Sequence, residues 1–545
     1  MEIIDFRNDL GRINAPRAGP PLRAGCAFGA REGPWAPLIP ARQFSGSGPC
    51  AISADGSGGG LPIVSPVSEL LEIDELRQRF EVHGQGHVFD FWEQLDARER
   101  GALARQATRL AESLGELIED QRTAVAALGT DTEPDSISPG EAIPLPEHGG
   151  NPVQAEAARE HGLRLLSAGR VGICVVAGGQ GTRLGFKGPK GAFPIGPVSN
   201  RSLFALQAQK IRGLARRSGH TMPWYVMTSE ATDASTRALF EAEDYFGLDP
   251  QSVRIFTQGM LPAWDLDARL ILEAPHRIAE SPNGHGGALT ALDESGILDD
   301  MEARGVDRLF YYQVDNPLVR LGDPVYLGFH EECRAEMSCK VVRKADAQEK
   351  VGVVARVHGR PSVIEYTEFS ENLRDKRDAD GGLLYWAGNI AIHIFNLDFL
   401  RRIARDSARL LPVHASPKVI ESVNSPLNLR ASDGPNGYKL ERFVFDALPW
   451  ADRTCVLEVR ATEEFSPIKN AEGKDSPESS RAQLVGCYRA WMEQAGIPVP
   501  PEIDAIEIDH SVIDSADEAI ATGLANLVDA GGAILVSKGP TGRKS

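Results

Sequence analysis

Apolar and polar positions change their period several times along the chain, and each change marks a segment. From 69 to 128 the apolar residues recur at helical spacing. Phe89, Trp92 and Leu95 share one face, as do Leu103, Leu110, Leu114 and Leu117, and Gly84-Gln85-Gly86 breaks the run. A loop rich in Pro, Gly and acids over 129–150 leads to an expected helix at 153–168. A short β-branched run at 171–176 then ends in Gly178-Gly179-Gln180-Gly181, the pattern of a buried strand closed by turn chemistry. Next come a helix at 202–217, a strand at 224–228, a helix at 231–246 and strands at 253–257 and 309–314. This alternation predicts an α/β domain with a parallel, helix-covered sheet and ligands at the carboxyl ends of its strands.

Further strands at 340–343, 351–357 and 362–366 read as an antiparallel addition, and 387–395 as a return to the sheet. Later strands are expected at 441–445 and 454–459, followed by a loop over 465–481. Alternating Ile and Val from Pro498 onward predict a small C-terminal β-containing unit. Residues 1–68 are rich in Gly, Pro, Ala and Arg without sustained periodicity, so they read as a disordered or loosely attached extension, or equally as an over-long start. The expected division is an extension at 1–68, a helical region at 69–150, a catalytic α/β domain at 151–435 and a C-terminal domain at 436–545.

Composition narrows the class. A chain of 545 residues with net charge −18 lacks the basic face that nucleic-acid binding needs. Seven cysteines without C-x-x-C or zinc spacing read as reduced thiols. No apolar run reaches the length of a membrane span, and no signal peptide is apparent, so the chain reads as cytoplasmic, with no nucleic-acid or membrane partner. Oligomeric state is not legible.

Against that acidic background, 161–229 contains no Asp or Glu and ten Lys and Arg residues. The Gly-rich turn after the 171–176 strand lies inside this inversion, with Arg183 and Lys190 close by. Glycines let a backbone turn its N–H groups toward an anion, and two added cations suit several phosphates. A Walker loop is excluded because Phe186 follows Gly185, and a dinucleotide fingerprint because the spacing is G-x-G-x-x-x-G with no ribose-binding acid downstream. An ordinary Gly-rich turn with surface cations is disfavoured, since a solvated face mixes both signs.

The segment AGGQGTRLGFKGPKG (177–191) resembles the G-x-G-T-R-x-x-x-x-x-P-K motif of the eukaryotic-type UDP-sugar pyrophosphorylases. Later segments, in order between about 76 and 481, resemble the UDP-N-acetylhexosamine pyrophosphorylases in particular. The resemblance implies a Rossmann-like, GT-A-like nucleotidyltransferase fold: a mixed sheet flanked by helices. It implies uridylyl transfer between UTP and N-acetylglucosamine 1-phosphate with Mg²⁺, Mn²⁺ being possible. The same chemistry on glucose, galactose or N-acetylgalactosamine 1-phosphate is the alternative. A non-catalytic sugar-nucleotide binding protein is the reading of another class, and the presence of Arg183, Lys190 and Asp315 together opposes it.

Residue by residue, the resemblance places Arg183 and Lys190 on the phosphates and Val176, Ala177, Gly178 and Gly179 around the uridine and phosphates. Gln258 in FTQGMLPAWD would read the uracil; unaided, it is a loop residue after a strand. Gly284 and His285 belong to SPNGHGG, which matches the nucleobase and sugar loop, with His285 where Asn is usual. Asp315 in YYQVDNPL would hold the metal, although an Asx turn with Asn316 is the plain reading. Gly352 and Glu365, in VGVVARVHGRPSVIEYTE, and Asn389, in AGNIAIHIF, would meet the sugar. Lys418 and Lys439 correspond to late phosphate-contacting lysines, and EFSPIKNAEGKDSPESSR (464–481) to the family's C-terminal motif.

Overall fold

A computed structural model describes residues 71–129, 136–423, 434–499, 501, 503–522, 527–529 and 533–536; the expectation for 1–68 lies outside them. Three helices open the described chain: α1 (Ile73–Val82), α2 (Ala97–Ala111) and α3 (Leu114–Ala126). Asp96 begins α2 with a capping box to Glu99. Leu103, Leu110, Leu114 and Leu117 are buried, as their spacing requires, against Trp264, Leu270, Ile278 and Leu440. Phe89 and Leu95 are buried too, but Gly86–Phe89 and Trp92–Gln94 are 3-10 turns rather than parts of a long helix.

The central sheet has ten strands: β1 (Ile137–Pro139), β2 (Val171–Val176), β3 (Trp224–Thr228), β4 (Val253–Thr257), β5 (Arg308–Gln313), β6 (Met337–Arg343), β7 (Val353–Val357), β8 (Arg360–Ile364), β9 (Ala387–Asn396) and β12 (Thr454–Glu458). Its main path runs β1-β7-β9-β5-β2-β3-β4; β6 pairs with β9 and β12, and β8 with β7. The β5-β2-β3-β4 portion is parallel, as the strand and helix alternation predicts, and β9 is antiparallel to β5. Side chains on these strands alternate between two cores. Phe310 and Tyr312 face the one shared with Ile173 and Val175, while Leu309 and Tyr311 face the one containing Cys174. A separate three-stranded sheet joins β10 (His414–Lys418), β11 (Gly437–Glu441) and the Trp264–Asp265 strand.

Helices α4 (Pro152–Ser167), α5 (Leu203–Ser218) and α7 (Pro324–Glu332) contribute buried residues to the first core. Pro152 follows the Asn151 cap, and Ser202 Oγ accepts from Ala205 N–H to start α5. Among the described residues no helix is long and apolar enough to cross a membrane, and Cys174, Cys333, Cys339, Cys455 and Cys487 form no disulfide.

Three expected elements are corrected. Helix α6 spans only Asp233–Ala242, because Asp244, Tyr245 and Phe246 turn to positive φ and bring the Tyr245 and Phe246 rings against Phe240. No strand runs on from Glu441 to 445. The ladder ends at Glu441, and the backbone of 442 instead covers the glycine loop, with Gly286 N–H donating to the Arg442 carbonyl at 2.8 Å. The expected 465–481 loop gives way to α8 (Pro477–Gln494), which starts with Pro477 at its first position and a Ser476–Ser479 capping box.

The tail does form a small sheet, from Ala505–Ile508, Leu527–Asp529 and Ala533–Val536. Two pieces of the expected C-terminal segment take part in the central structure. β12 lies in the main sheet, and Ile503, Ile506 and Ile508 share the first core with Leu203 and Ile211. Glu507 reaches back to accept from the Val198 and Ser199 N–H groups, at 2.9 and 2.8 Å.

Helices α4 and α7 meet backbone to backbone. A Cβ at Gly162 would stand 1.9 Å from the Pro324 carbonyl oxygen, and one at Gly328 would stand 1.7 Å from that of Ala158. Gly328→Ala should therefore destabilise the fold by about 1–3 kcal/mol through overpacking, despite alanine's better helix propensity. Chemical denaturation checks this; an unchanged midpoint would show that the helices separate freely.

Candidate functional site

The carboxyl ends of four strands meet along one edge. Ala177 N–H donates to Met227 O, Gln258 N–H to Thr228 O, and Val314 N–H to Val176 O, so the ladder continues just past β2, β3, β4 and β5. The residues beyond those ends, Gly178 and Gly179, Ser229, Gln258 and Asp315, thereby become neighbours. Ser229 Oγ donates to the Gly178 carbonyl at 2.7 Å, and a Cβ on Gly178 would stand 3.0 Å from Gln258 Nε2. Glycine at 178 is what lets Gln258 lie against the loop.

The Gly-rich loop folds on itself as a short hairpin. Gly181 N–H donates to Gly188 O and Lys190 N–H to Gly179 O, both at 3.0 Å. Gly191 sits where a Cβ would enter the Phe204 ring, 2.1 Å from its nearest carbon, which locks the loop onto α5. Val176 is partly buried, Ala177 buried and Gly179 exposed, with open space where its Cβ would be.

The two cations are not equivalent. Arg183 is exposed on the 3-10 turn Thr182–Leu184 and has no carboxylate partner among the described residues. Lys190 is more deeply set, and its Nζ lies 2.9 Å from Asp315 Oδ2, with side chains only 18% and 13% exposed. A pair this far from solvent holds its geometry better than a surface ion pair. Lys190 is thus held in a partly buried pair and does not project freely from a loop tip.

A cavity of about 180 Å³ opens beside Asp315, and its wall also carries His285, Gly352, Glu365 and Asn389. Five residues from four separate sequence segments are thus assembled. The Asn389 N–H donates to the Gly352 carbonyl at 2.8 Å, and a Cβ on Gly352 would stand 2.8 Å from Glu365 Oε1. Glu365 follows the last residue of β8 and faces the cavity rather than solvent. Burial, reinforced by Glu368 and Asp446 and opposed by His414 and Lys469, pushes its carboxyl up to about 7.

His285 Nδ1 accepts from Val444 N–H at 3.1 Å, which leaves the proton on Nε2. Burial, with a smaller contribution from charged His414, holds its pKa down to about 4, so it is a neutral donor at pH 7. Phe443 stacks on His285 at 5.3 Å and on His414 at 4.3 Å. His414 is the charged member. Burial opposes its proton, but Asp446 at 2.8 Å from Nε2 and Glu368 at 3.6 Å from Nδ1 outweigh that and raise it to about 9. The Gly284 backbone, at φ +81, passes beneath Arg442, whose carbonyl oxygen would be 2.6 Å from a Cβ there.

Lys418 and Lys439 are not brought to this cavity. Lys418 is exposed at the end of β10, and Lys439 lies across from Ser416 on β11. The cavity instead carries Lys350 and Lys469, with Phe445 and Phe465. Lys469 lies inside the EFSPIKN segment singled out from sequence, where no residue of it was assigned. Phe443 and Phe445 had a visible signal in their alternation within ERFVFD. Lys350 had none beyond its place next to Val351-Gly352.

Asp315 brings one carboxylate to the wall, and no group of three or more His, Cys, Asp or Glu able to hold a metal stands among the described residues. That donor set fits Mg²⁺ taking one carboxylate and completing its shell with phosphate oxygens and water, and does not fit an all-protein cage.

Comparison with known proteins finds relatives over most of the chain. The chain is 40% identical over 436 residues to the human UDP-N-acetylhexosamine pyrophosphorylase-like protein 1, covering 77% of this chain and 86% of that one. It is 34% identical to the UDP-N-acetylglucosamine pyrophosphorylase of Saccharomyces cerevisiae, covering 85% and 99%. The solved structure of the Trypanosoma brucei uridine diphosphate N-acetylglucosamine pyrophosphorylase in complex with an inhibitor superposes with a TM-score of 0.72 at 25% identity, over 87% of this chain and all of that one. The model of one family, UTP–glucose-1-phosphate uridylyltransferase, spans residues 148–480, from the start of α4 through the cavity-lining loop, and the chain belongs to that family.

Proposed function

We propose that the chain joins UTP to N-acetylglucosamine 1-phosphate, giving UDP-N-acetylglucosamine and pyrophosphate. The observation that carries this reading is the junction at Asp315. One side chain both pairs with Lys190 of the phosphate loop and lines the cavity that holds Glu365, Asn389 and His285. A nucleotide triphosphate along the loop and a sugar in the cavity would thus bring their phosphates together at that point.

The nucleophile in such a reaction is a sugar-phosphate oxygen, already ionised. It attacks the α-phosphorus of UTP, and the bond to the bridging oxygen breaks as pyrophosphate leaves with its electron pair. No protein nucleophile or general base is needed; the protein positions two polyanions and offsets their charge. Mg²⁺ held by Asp315 would supply charge neutralisation between them. Lys190 and Arg183 would take the phosphates of UTP, Gln258 the uracil, and Lys469 the phosphate side of the cavity. Glu365, Asn389, Gly352 and the Nε2 donor of His285 would take the sugar hydroxyls and acetamide.

Pyrophosphate release across a panel of sugar 1-phosphates tests the reading. N-acetylglucosamine 1-phosphate should give the highest kcat/KM, the filled acetamido pocket contributing at least about 1–3 kcal/mol and more where its polar groups would otherwise go unpaired, and chelation should abolish release. Equal or faster turnover of glucose 1-phosphate would favour the alternative sugars and point to His285.

Lys190→Ala should lower kcat on the order of 10²–10³, roughly 3–4 kcal/mol, as one preorganised charge is lost. It also strands Asp315, so its melting temperature should drop. Arg183→Ala, exposed and unpaired among the described residues, should lower kcat while leaving the melt unchanged. Rates and melts measured on both variants separate the two roles; a normal single-turnover rate for Lys190→Ala would remove it from the mechanism.

Glu365 makes a pH prediction. Its carboxyl is raised from 4.5 to about 7, so between those values the folded chain holds a proton that the unfolded chain releases, and stability falls as pH rises. His414, raised to about 9, stays charged across that window. Glu365→Gln should therefore lose less melting temperature than the parent protein between pH 4.5 and 7. Parallel curves for the two would show that Glu365 ionises freely.

A further inference from the structure

The turn that carries Asp315 is gripped from two directions. On the α5 side, Gln207 Nε2 donates to the Val314 carbonyl at 2.9 Å, and Lys210 Nζ to those of Pro317 and Val319 at 2.7 Å. On the other side the grip comes from segment 464–468, about 150 residues away in the chain. Asn316 Nδ2 donates to the Glu464 carbonyl at 2.7 Å, and Asn316 Oδ1 accepts from Ser466 N–H at 3.0 Å and Leu318 N–H at 3.2 Å. Ile468 N–H donates to the Asp315 carbonyl at 3.0 Å. Behind this seam Lys340, fully buried on β6, binds the Glu464 carboxylate at 2.5 Å and Asp323 at 2.7 Å.

We infer that Asn316 is a positioning residue that registers the loop bearing Lys469 against the carboxylate of Asp315, with the Lys340–Glu464 pair anchoring that loop from behind. Asn316 is 4% exposed, and its amide has used a donor and an acceptor on one remote segment. Only an amide can do both: aspartate has the same shape but no donor for the Glu464 carbonyl. Lys469 and Asp315 share the cavity wall, so the register of these two segments sets the distance between a cation and a carboxylate at the reacting phosphates. A misplacement of about 1 Å in such a site can cost on the order of 10²-fold in rate.

The inference rests on the uridylyl-transfer reading, so its test includes an arm that does not. In full-length Asn316→Asp, hydrogen exchange of the peptide containing Ser466 and Ile468 should quicken at least about tenfold, with the rest of the sheet unchanged. In the same protein kcat should fall about tenfold or more and half-saturating Mg²⁺ should rise, with the KM for UTP little changed, because the phosphate loop and Gln258 are untouched. If Asn316→Asp does not fold, Glu464→Gln, which weakens the Lys340 anchor without altering the Asn316 bonds, takes both measurements in its place. Unchanged exchange would overturn the inference, as would faster exchange with normal kcat and metal dependence. A loss of activity that merely tracks the folded fraction would overturn it too. Should the parent protein release no pyrophosphate from any sugar 1-phosphate, the uridylyl-transfer reading would fall, and the exchange arm would still decide whether Asn316 joins the two segments.

Discussion

The Lys190–Asp315 contact joins segments 125 residues apart, and the candidate site is arranged around it. A stretch of chain without a single carboxylate would repel itself if its cations converged without an anion. One aspartate from the neighbouring strand end supplies that anion at the point where phosphates are expected. The pair is mostly withdrawn from solvent, where the attraction is screened less and the loss of one partner leaves an uncompensated charge. It also fixes the loop: Lys190 N–H is already bound to Gly179, so backbone and side chain of one residue close the hairpin and tie it to β5. On the proposed reading, a substrate phosphate arriving there would meet a lysine whose position is already set.

The sugar side is built on the opposite electrostatic plan. Its two histidines both stack on Phe443, yet one is neutral and one charged. His285 spends Nδ1 on a backbone N–H and cannot gain a second proton cheaply, whereas His414 faces two carboxylates. The charge sits on the ring that is not part of the cavity wall, and a neutral donor on the ring that lines it. Uncharged sugar hydroxyls suit that donor, and a protonated histidine there would meet the raised carboxyl of Glu365 instead.

Much of this was legible in the sequence. The strand at 171–176 and the alternation of strands with helices carry local signals, and they place the phosphate loop, Gln258 and Asp315 at one edge. The family resemblance located Gly352, Glu365, Asn389 and His285, which the fold gathers around one cavity. Illegible features depend on contacts remote in sequence. Nothing local in Glu365, set among apolar strand residues, distinguishes a cavity-facing carboxyl from a solvent-facing one. Lys418 and Lys439 could not be told from Lys469 because a lysine in a loop or strand carries no local mark of what it faces, and only the packing shows which one reaches the wall. Helix α6 stops early because aromatic side chains find a better fit with the chain turned back than with the helix continued. Helix α8 is a different case: Ser476-Pro477 is a local start signal that the expected loop over 465–481 passed over.

On the proposed reading, uridylyl passes directly from UTP to the bound sugar phosphate, with no covalent intermediate on the protein. Exchange of labelled pyrophosphate into UTP measures this. Label should enter UTP only when UDP-N-acetylglucosamine or its sugar 1-phosphate is present, because only then can the reaction run in both directions. Exchange in the absence of any sugar substrate would show that the protein itself accepts the uridylyl group, and would contradict the account.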